Sequence, residues 1–565
     1  MSLSHFYKNW VVYFVFLCFI PLWGQARDHM QDDSLLIANV DPLIKILKSD
    51  TRFNSEVATI DVARGEFASA QFVIRSTSDI KRLQVTVSNI EYAGRKLKSD
   101  PVRFVDYIKI STLAKNPAID RLQSKDGYYP DPLIDLSTLD VAANTSQAIW
   151  ITVPIALQTQ PGLYKGKVHF TGNSNNQSFS VFKEINIRVY NVQIKKTNLS
   201  VSLWPMDAFK LMNNGEPVPA YSEKHWGLTK KMAEMMSLYR QNVVLVYPLV
   251  TTKYTIVGNK YKFDFSNFDK LISIYKKAGV IGKIEGGFPG GRNGGGWDAE
   301  FEYFYYVLQD GKVVQKMGPL SDEKVTNFYR QFIPAFVSHL KENKLYTNYY
   351  QHIADEPTNI NYSSYLAFYT FLKKLVPDIK IIEAVQTTKI VDKINIIVPQ
   401  LDQLAANYKA YYPTGKNQEL WFYTCWQPQG EYANRFIEQP LIKTRYLHWI
   451  NYKYKIKGYL HWAYNHWNEN PFNEGAKTLA NKETLPGGDS WIVYPKDGGL
   501  YSSLRLEAMR DGVFDYELLK MLAVKKPALA TLYSDKLIKG FAAYDTNVQT
   551  FREVRRTILQ QLASN

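Results

Sequence analysis

Between Leu35 and Val192 apolar and polar residues alternate in short runs: "VATIDVARGEFASAQFVIRS", "LQVTVSNI", "AIWITVPI" and "YKGKVHF". A period of two puts one set of side chains on one face of a pleated strand, and clusters of turn residues separate the runs. No long helical period intervenes, so the spacing predicts an antiparallel β-sandwich over 35–195.

From Ser200 the rhythm changes. Short apolar runs that read as strands alternate with amphipathic segments of helical period. The strands are "SVSLWPM", "VVLVYPLV", "VIGKIEGGF", "LYTNYYQHIADEP", "IKIIEAVQ", "INIIVPQLD", "QELWFYTCWQ" and "KGYLHWAYNHW". Helices are expected at "EKHWGLTKKMAEMMSLYRQN", "FSNFDKLISIYKKAG", "SDEKVTNFYRQFIPAFVSHLKEN" (capped by Ser321), "NYSSYLAFYTFLKKLVP" and "QPLIKTRYLHWINYKYKI". About eight strands in such an alternation predict a TIM-type (β/α)8 barrel over 196–525, irregular where no helix separates "IKIIEAVQ" from "INIIVPQLD". Residues 526–565 read as a C-terminal helical extension. In "SLRLEAMRDGVFDYELL" the charges Arg505, Glu507, Arg510, Asp511 and Asp515 recur at helical spacing, as expected of a face that staples the last helix to the barrel rim.

The N-terminus adds a compartment. Lys8, the apolar run Trp10–Trp23 and the small residues Gly24 and Ala26 form the pattern of a cleavable signal peptide, 1–26, and the run is short for a membrane span. Its removal leaves one cysteine, Cys425, hence no internal disulfide. The mature chain is expected to be exported, periplasmic or extracellular, with no membrane span. A net charge of +15 comes without a basic block or recognition motif, which argues against a nucleic-acid partner. The sequence fixes no oligomeric state.

Aromatic residues make up 14% of the chain, with 39 Tyr and 12 Trp. Most belong to the core of a chain this size. A barrel, however, works at the C-terminal ends of its strands, and there the sequence concentrates aromatics, carboxylates and amides, the inventory of a carbohydrate site. Asp355 and Glu356 stand side by side before Pro357. They can share a pocket only if their strand has ended, which a proline favours. Two adjacent carboxylates raise the pKa of at least one, as a general acid requires; helix capping by Asp355 with Glu356 paired to a lysine is the structural alternative. His352 is expected to pack behind the pair. "EGGFPGGRNGGGWD" lacks the setting of a phosphate loop and reads as a mobile loop over the mouth, with Trp297 a sugar contact or a bland surface residue.

"ADEP" after a barrel strand, "YLHWAYNHW" and "PGGDSWIVYPKDGGLYSSLRLEAMRDGVFDYELL" resemble the barrel of glycoside hydrolase family 123; "ARGEFASAQFVI" and "GYYPDPL" resemble the sandwich that precedes it. The resemblance implies an exo-acting β-N-acetylgalactosaminidase using substrate-assisted catalysis, in which the sugar's 2-acetamido carbonyl attacks the anomeric carbon. Glu356 would then be the general acid/base, and Asp355 would hold the acetamido N–H. Tyr423 would bind the acetamido oxygen, with Tyr464 in reserve.

A retaining enzyme of the usual kind needs a second carboxylate about 5 Å from the acid. "LWFYTCWQPQG" supplies none, which favours an internal nucleophile. Glu383 is expected in substrate binding, as the nucleophile if the strand count is off by one, or otherwise in a structural role. Trp462 and Trp467 are expected as walls of the sugar subsite, Asn465 as a hydroxyl ligand, and Trp204 and Trp426 as further contacts. Alternation places Leu460, Trp462 and Tyr464 on one face. No metal or cofactor is expected, and the partner is a glycan or glycoconjugate. The rival readings are a glycosidase for another sugar that uses Glu383, and a non-catalytic glycan-binding protein.

Overall fold

The alternation in "GEFASAQFVIRS" becomes the strand Phe67–Ser76, and its two faces go to different cores. Phe72 and Ile74 point into a sandwich core with Ile149, Ile151, Phe170 and Ile187, whereas Val73 joins the core shared with the barrel, as do Ala148 and Trp150. The computed structural model describes residues 34–53, 59–280, 282–294 and 296–564; the expected signal peptide lies outside the described residues. The first sheet runs Leu35–Val40, Phe67–Ser76, Ser146–Pro154, Arg103–Ile110, Gly127–Ile134, Gly499–Ser503, Tyr494–Lys496. The second runs Ile60–Arg64, Gln177–Gln193, Gly162–Ser174, Ile80–Val87, Leu139–Val141. Pairing is antiparallel except between the first two strands of the second sheet. The last two strands of the first sheet come from beyond the barrel: Ser502 and Ser503 pair with Leu133 and Pro132. The sandwich is therefore completed by chain well outside 35–195.

The barrel strands are β1 (Ser200–Leu203), β2 (Val243–Val246), β3 (Lys283–Gly286), β4 (Tyr349–Gln351), β5 (Ile382–Val385), β6 (Ile396–Pro399), β7 (Glu419–Tyr423) and β8 (Gly458–His461). They form one parallel eight-stranded sheet in circular order, closed between β4 and β5 by the bridge Gln351–Ile381. Inward residues from alternate positions fill it: Leu245, Ile382, Ala384, Val398, Trp421 and Leu460.

Helices α1 (Glu223–Leu238), α2 (Ser266–Ala278), α3 (Glu323–Glu342), α4 (Tyr362–Leu375), α5 (Leu401–Tyr411), α6 (Leu441–Lys453) and α7 (Leu504–Lys525) surround the strands. Only a 3-10 turn, Val391–Lys393, joins β5 to β6. α5 was not anticipated, because "VPQLD" reads as a continuation of β6; the chain turns at Pro399 and buries Leu401 and Leu404 on one helical face. The cap of α3 is Asp322, not Ser321: its carboxylate accepts the Lys324 N–H.

Two insertions interrupt the barrel. One is the hairpin Lys253–Val257/Lys260–Asp264. The other turns the glycine-rich stretch into structure: Gly290–Arg292 pairs with Phe301–Tyr303 in a three-stranded sheet. A Cβ on Gly290 would come within 2.7 Å of the Tyr303 ring, so the pairing requires the missing side chain.

α7 is buried along most of its length, and its charges are not an exposed face. Arg505 makes a two-pronged contact with Asp131 of the sandwich (2.9 and 2.7 Å), and Arg103 reaches Glu507 at 2.8 Å. Asp515 receives Arg445 of α6 and Arg555 of the terminal helix α9 (Val548–Ala563), which also holds Asp41 through Arg552 and Glu66 through Arg555. α8 (Pro527–Leu537) packs beside them. The expected staple therefore joins α7 to the sandwich and α6 rather than to an exposed rim. Among the described residues no helix is long and apolar enough to cross a membrane.

Candidate active site

β4 stops at Gln351, and the next six residues are a turn at the C-terminal mouth of the barrel. His352, Ile353 and Ala354 are buried, while Asp355 and Glu356 are half-buried. Glu356 has φ +47°, a left-handed conformation that breaks the alternation of a strand and lets neighbouring carboxylates share one side. The turn is tied from several directions. Arg292, from the glycine-rich strand, donates through Nη1 to the Asp355 carbonyl and through Nη2 to the Glu356 carbonyl, both at 3.0 Å. The Gln386 N–H donates to the Pro357 carbonyl at 3.2 Å, and Thr358 bonds Asp298 and Asn361.

The two acids differ in surroundings. Burial, then the Asp355 charge, pushes Glu356 up to about 8, against hydrogen bonds from Tyr423 and Gln386 and the charge of Arg292. Burial also raises Asp355, and here Arg292 and His352 oppose it. The Asp355 carboxylate accepts no hydrogen bond from the described residues, which leaves it open to a ligand donor. The Tyr423 hydroxyl meets Glu356 and lies 3.2 Å from Gln400 Oε1. Burial and the Glu356 charge hold its pKa well above the ordinary value, so it stays protonated.

Other expected contacts are placed unequally. Trp462 is half-buried at the mouth, and its Nε1 donates to Asp489, a carboxyl pushed up to about 7 chiefly by burial. Trp426 is half-buried against the barrel interior. Its loop is braced by the sandwich, where the Asn116 N–H donates to Gln429 Oε1 and the Asn116 carbonyl accepts the Gly430 N–H. Trp204 lines the floor and donates to Glu285 Oε2 at 2.8 Å.

Four residues sit where a ligand would not reach them. Tyr464 is fully buried in the core outside the barrel, apart from Leu460 and Trp462, because β8 ends at His461 and alternation ends with it. Asn465 is buried and clasps both backbone groups of Met206. Trp467 donates to the Val493 carbonyl from within the core. Glu383 is fully buried: Oε1 lies 2.8 Å from His352 Nδ1 and Oε2 accepts the Ile353 and Ala354 N–H groups, so neither oxygen faces a substrate.

Trp297 is 48% exposed, with Nε1 on Gln386 Oε1 and the Arg292 guanidinium 4.0 Å over its ring. Asn361 holds the Trp297 and Ala299 carbonyls, so this segment is strapped to the acidic turn rather than loose above it. Sequence reasoning missed Arg292, Gln400 and Asp489. Arg292 was legible only as the one cation of a glycine-rich stretch and Asp489 only as a letter of the block that begins "PGGDSW"; Gln400 carries no local signal. Among the described residues, no group of three or more His, Cys, Asp and Glu is disposed to hold a metal ion. A cleft of about 1260 Å³, lined by Arg188, Tyr190 and Arg556, lies between the sandwich and α9, away from this site.

Residues 212–522 match the family model described as the glycoside hydrolase 123 catalytic domain, and residues 47–172 match the glycoside hydrolase 123 N-terminal domain. Comparison with curated protein sequences finds no match. Among solved structures, a family 123 glycoside hydrolase from Clostridium perfringens, reported for glycolipid glycan hydrolysis, matches with a TM-score of 0.71. Its identity is 17%, over 94% of this chain and 97% of that one. A β-glucuronidase from Parabacteroides merdae matches with a TM-score of 0.28 at 10% identity, over 80% of this chain and 49% of that one.

Proposed function

This chain belongs to glycoside hydrolase family 123, and from that membership we propose that it removes a terminal β-linked N-acetylhexosamine, N-acetylgalactosamine foremost, by substrate-assisted catalysis with retention. The observation that carries the reading is the acidic turn: two neighbouring carboxyl groups, one held protonated by burial and the other accepting no hydrogen bond from the described residues. Glu383, the alternative nucleophile, has both oxygens engaged below the turn.

In the first step the acetamido oxygen attacks C1 and the C1–O bond to the leaving group breaks. The Glu356 proton passes to the departing oxygen. Asp355 accepts the acetamido N–H and stabilises the positive charge on the oxazolinium ring. Tyr423 donates to the acetamido oxygen, orienting it for attack. In the second step water attacks C1, Glu356 takes its proton, and the acetamido group re-forms. The signal peptide expected at 1–26 makes export part of this proposal, and a glycolipid glycan, the class reported for the Clostridium enzyme, is a fitting substrate.

The test is hydrolysis of aryl β-N-acetylgalactosaminide beside its N-acetylgluco and plain galacto analogues, with Glu356→Gln and Asp355→Asn as controls. Cleavage confined to the acetamido sugars, and reduced ~10²–10⁴-fold in Glu356→Gln, is expected. Comparable cleavage of the plain galactoside would overturn the reading.

A further inference from the structure

Beneath the acidic turn lies a fully buried chain of side chains that the reaction as written does not use. Trp204 Nε1 donates to Glu285 Oε2 at 2.8 Å; His352 Nε2 stands 3.4 Å from the same oxygen; His352 Nδ1 is 2.8 Å from Glu383 Oε1. Glu383 Oε2 then accepts the N–H groups of Ile353 and Ala354, the two residues that lead into Asp355. All three ionisable groups are 0% exposed. We propose that Glu383 and His352 are positioning residues for Asp355: Glu383 anchors the turn and holds His352 as an imidazolium beneath it, so that Asp355 stays ionised while Glu356 keeps its proton. This rests on the assignment of Asp355 and Glu356 made above.

The hydrogen-bond logic is restrictive. Both ring nitrogens of His352 face carboxyl oxygens, Nδ1 at 2.8 Å and Nε2 at 3.4 Å; an ionised carboxyl only accepts, so a doubly protonated ring is the form that satisfies both contacts. Glu383 gathers three donors on two oxygens; burial raises its pKa, and the bonds from His352 and the Ile353 N–H oppose that rise. Burial works against the imidazolium, but Glu285 and Glu383 overcome it and carry His352 up to about 9. Two further rings, Trp204 and Phe288, pack on the imidazole and add no charge.

The other groups around the pair are Arg292, whose charge also opposes protonation of Asp355, Glu356 itself, and Tyr247, which lies within the field of Asp355 and Glu285. Tyr303 and Tyr365 approach Glu383 from the helix side as neutral phenols. His352 is thus the cation contributed from below, and Arg292 the one from the insertion. Without it two adjacent acids compete for one proton, and the singly protonated enzyme can hold that proton on the wrong oxygen.

Glu383→Gln separates positioning from packing. Its amide oxygen can keep the backbone N–H groups only by turning the amide nitrogen to His352 Nδ1. That nitrogen must then accept, and the ring becomes neutral. His352→Gln removes the charge directly at similar volume. In both variants the acidic limb of the kcat/KM profile, set by ionisation of Asp355, is expected to move up by about one pH unit, while the alkaline limb, set by Glu356, stays in place. Activity at the acidic limb then falls about tenfold more than at the optimum. A structural lesion would lower the whole bell without moving one side.

The decisive readout needs no turnover. Nitrogen-15 histidine spectra of the full chain should show His352 as a cation at pH 7 in the native protein and as a neutral tautomer in Glu383→Gln, with melting temperature recorded for each variant. A neutral His352 in the native protein, or an unmoved acidic limb in folded Glu383→Gln, would overturn the proposal. If the native enzyme cleaves no acetamido sugar, the substrate reading fails, and the spectra still decide whether His352 is a cation set by Glu383.

Discussion

Glu356 works from a backbone conformation that L-residues seldom adopt, at a cost of about 1–2 kcal/mol that its surroundings must offset. Arg292 is the chief restraint, because one planar guanidinium spans two successive carbonyls. Arg292→Lys keeps the charge but offers no fork, so kcat should fall about tenfold or more, nearly as far as in Arg292→Ala; steady-state kinetics on an aryl substrate would show it. The proton on Glu356 sets the alkaline side of the profile. Its pKa rises from the ordinary 4.5 to about 8, so its contribution to stability is full below about 4.5 and is lost as pH rises through about 8. Activity should decline through the same pH, and in Glu356→Gln the residual rate should lose that limb. The acidic pair was legible because its chemistry is written in adjacent letters. Arg292 and Gln400 were not, since a hairpin and another strand bring them there.

At the scale of elements, every barrel strand could be read from its apolar run, and the errors collect where a strand ends. Alternation placed Tyr464 beside Trp462, yet it holds only while the pleat continues, and β8 stops at His461. Residues after that point answer to the loop, which sends Tyr464 and Trp467 outward into the core and Asn465 onto Met206. The glycine-rich segment failed in the opposite direction. Three of the glycines that suggested mobility, Gly286, Gly287 and Gly290, each have a tyrosine ring lying against the backbone. The α3 cap gives a direct test of boundary reading: Asp322→Ala should cost about 1 kcal/mol and Ser321→Ala close to nothing, compared by thermal melting.

Across the whole molecule, sandwich, barrel and terminal helix are joined by buried charge. Burial raises Glu507 and Asp515, but Arg103 and Arg510 around the first, and Arg445 and Arg555 around the second, hold both down at about 2. A depressed carboxyl stabilises the fold above its ordinary pKa, here 4.5 and 3.8, and loses that contribution as pH falls toward 2. Melting temperature should therefore drop steeply between about pH 4.5 and 2, and Glu507→Gln should flatten the slope while lowering stability at neutral pH by about 3–5 kcal/mol. The residues of this network could be read as a charged helical face, but not their partners, because Asp131 and Arg103 lie more than three hundred positions away in a different sheet.

The strand borrowed from 499–503 has a consequence during synthesis. Gly127–Ile134 emerges early and remains an open sheet edge until its neighbour is made about 360 residues later. At ~5–20 residues per second that interval is on the order of twenty to seventy seconds, during which a ready-made template for strand addition stands exposed on the nascent chain. Soluble yield is therefore expected to change with translation speed, as expression from slow and fast codon sets would show, and a chain cut short before residue 494 would carry that edge permanently.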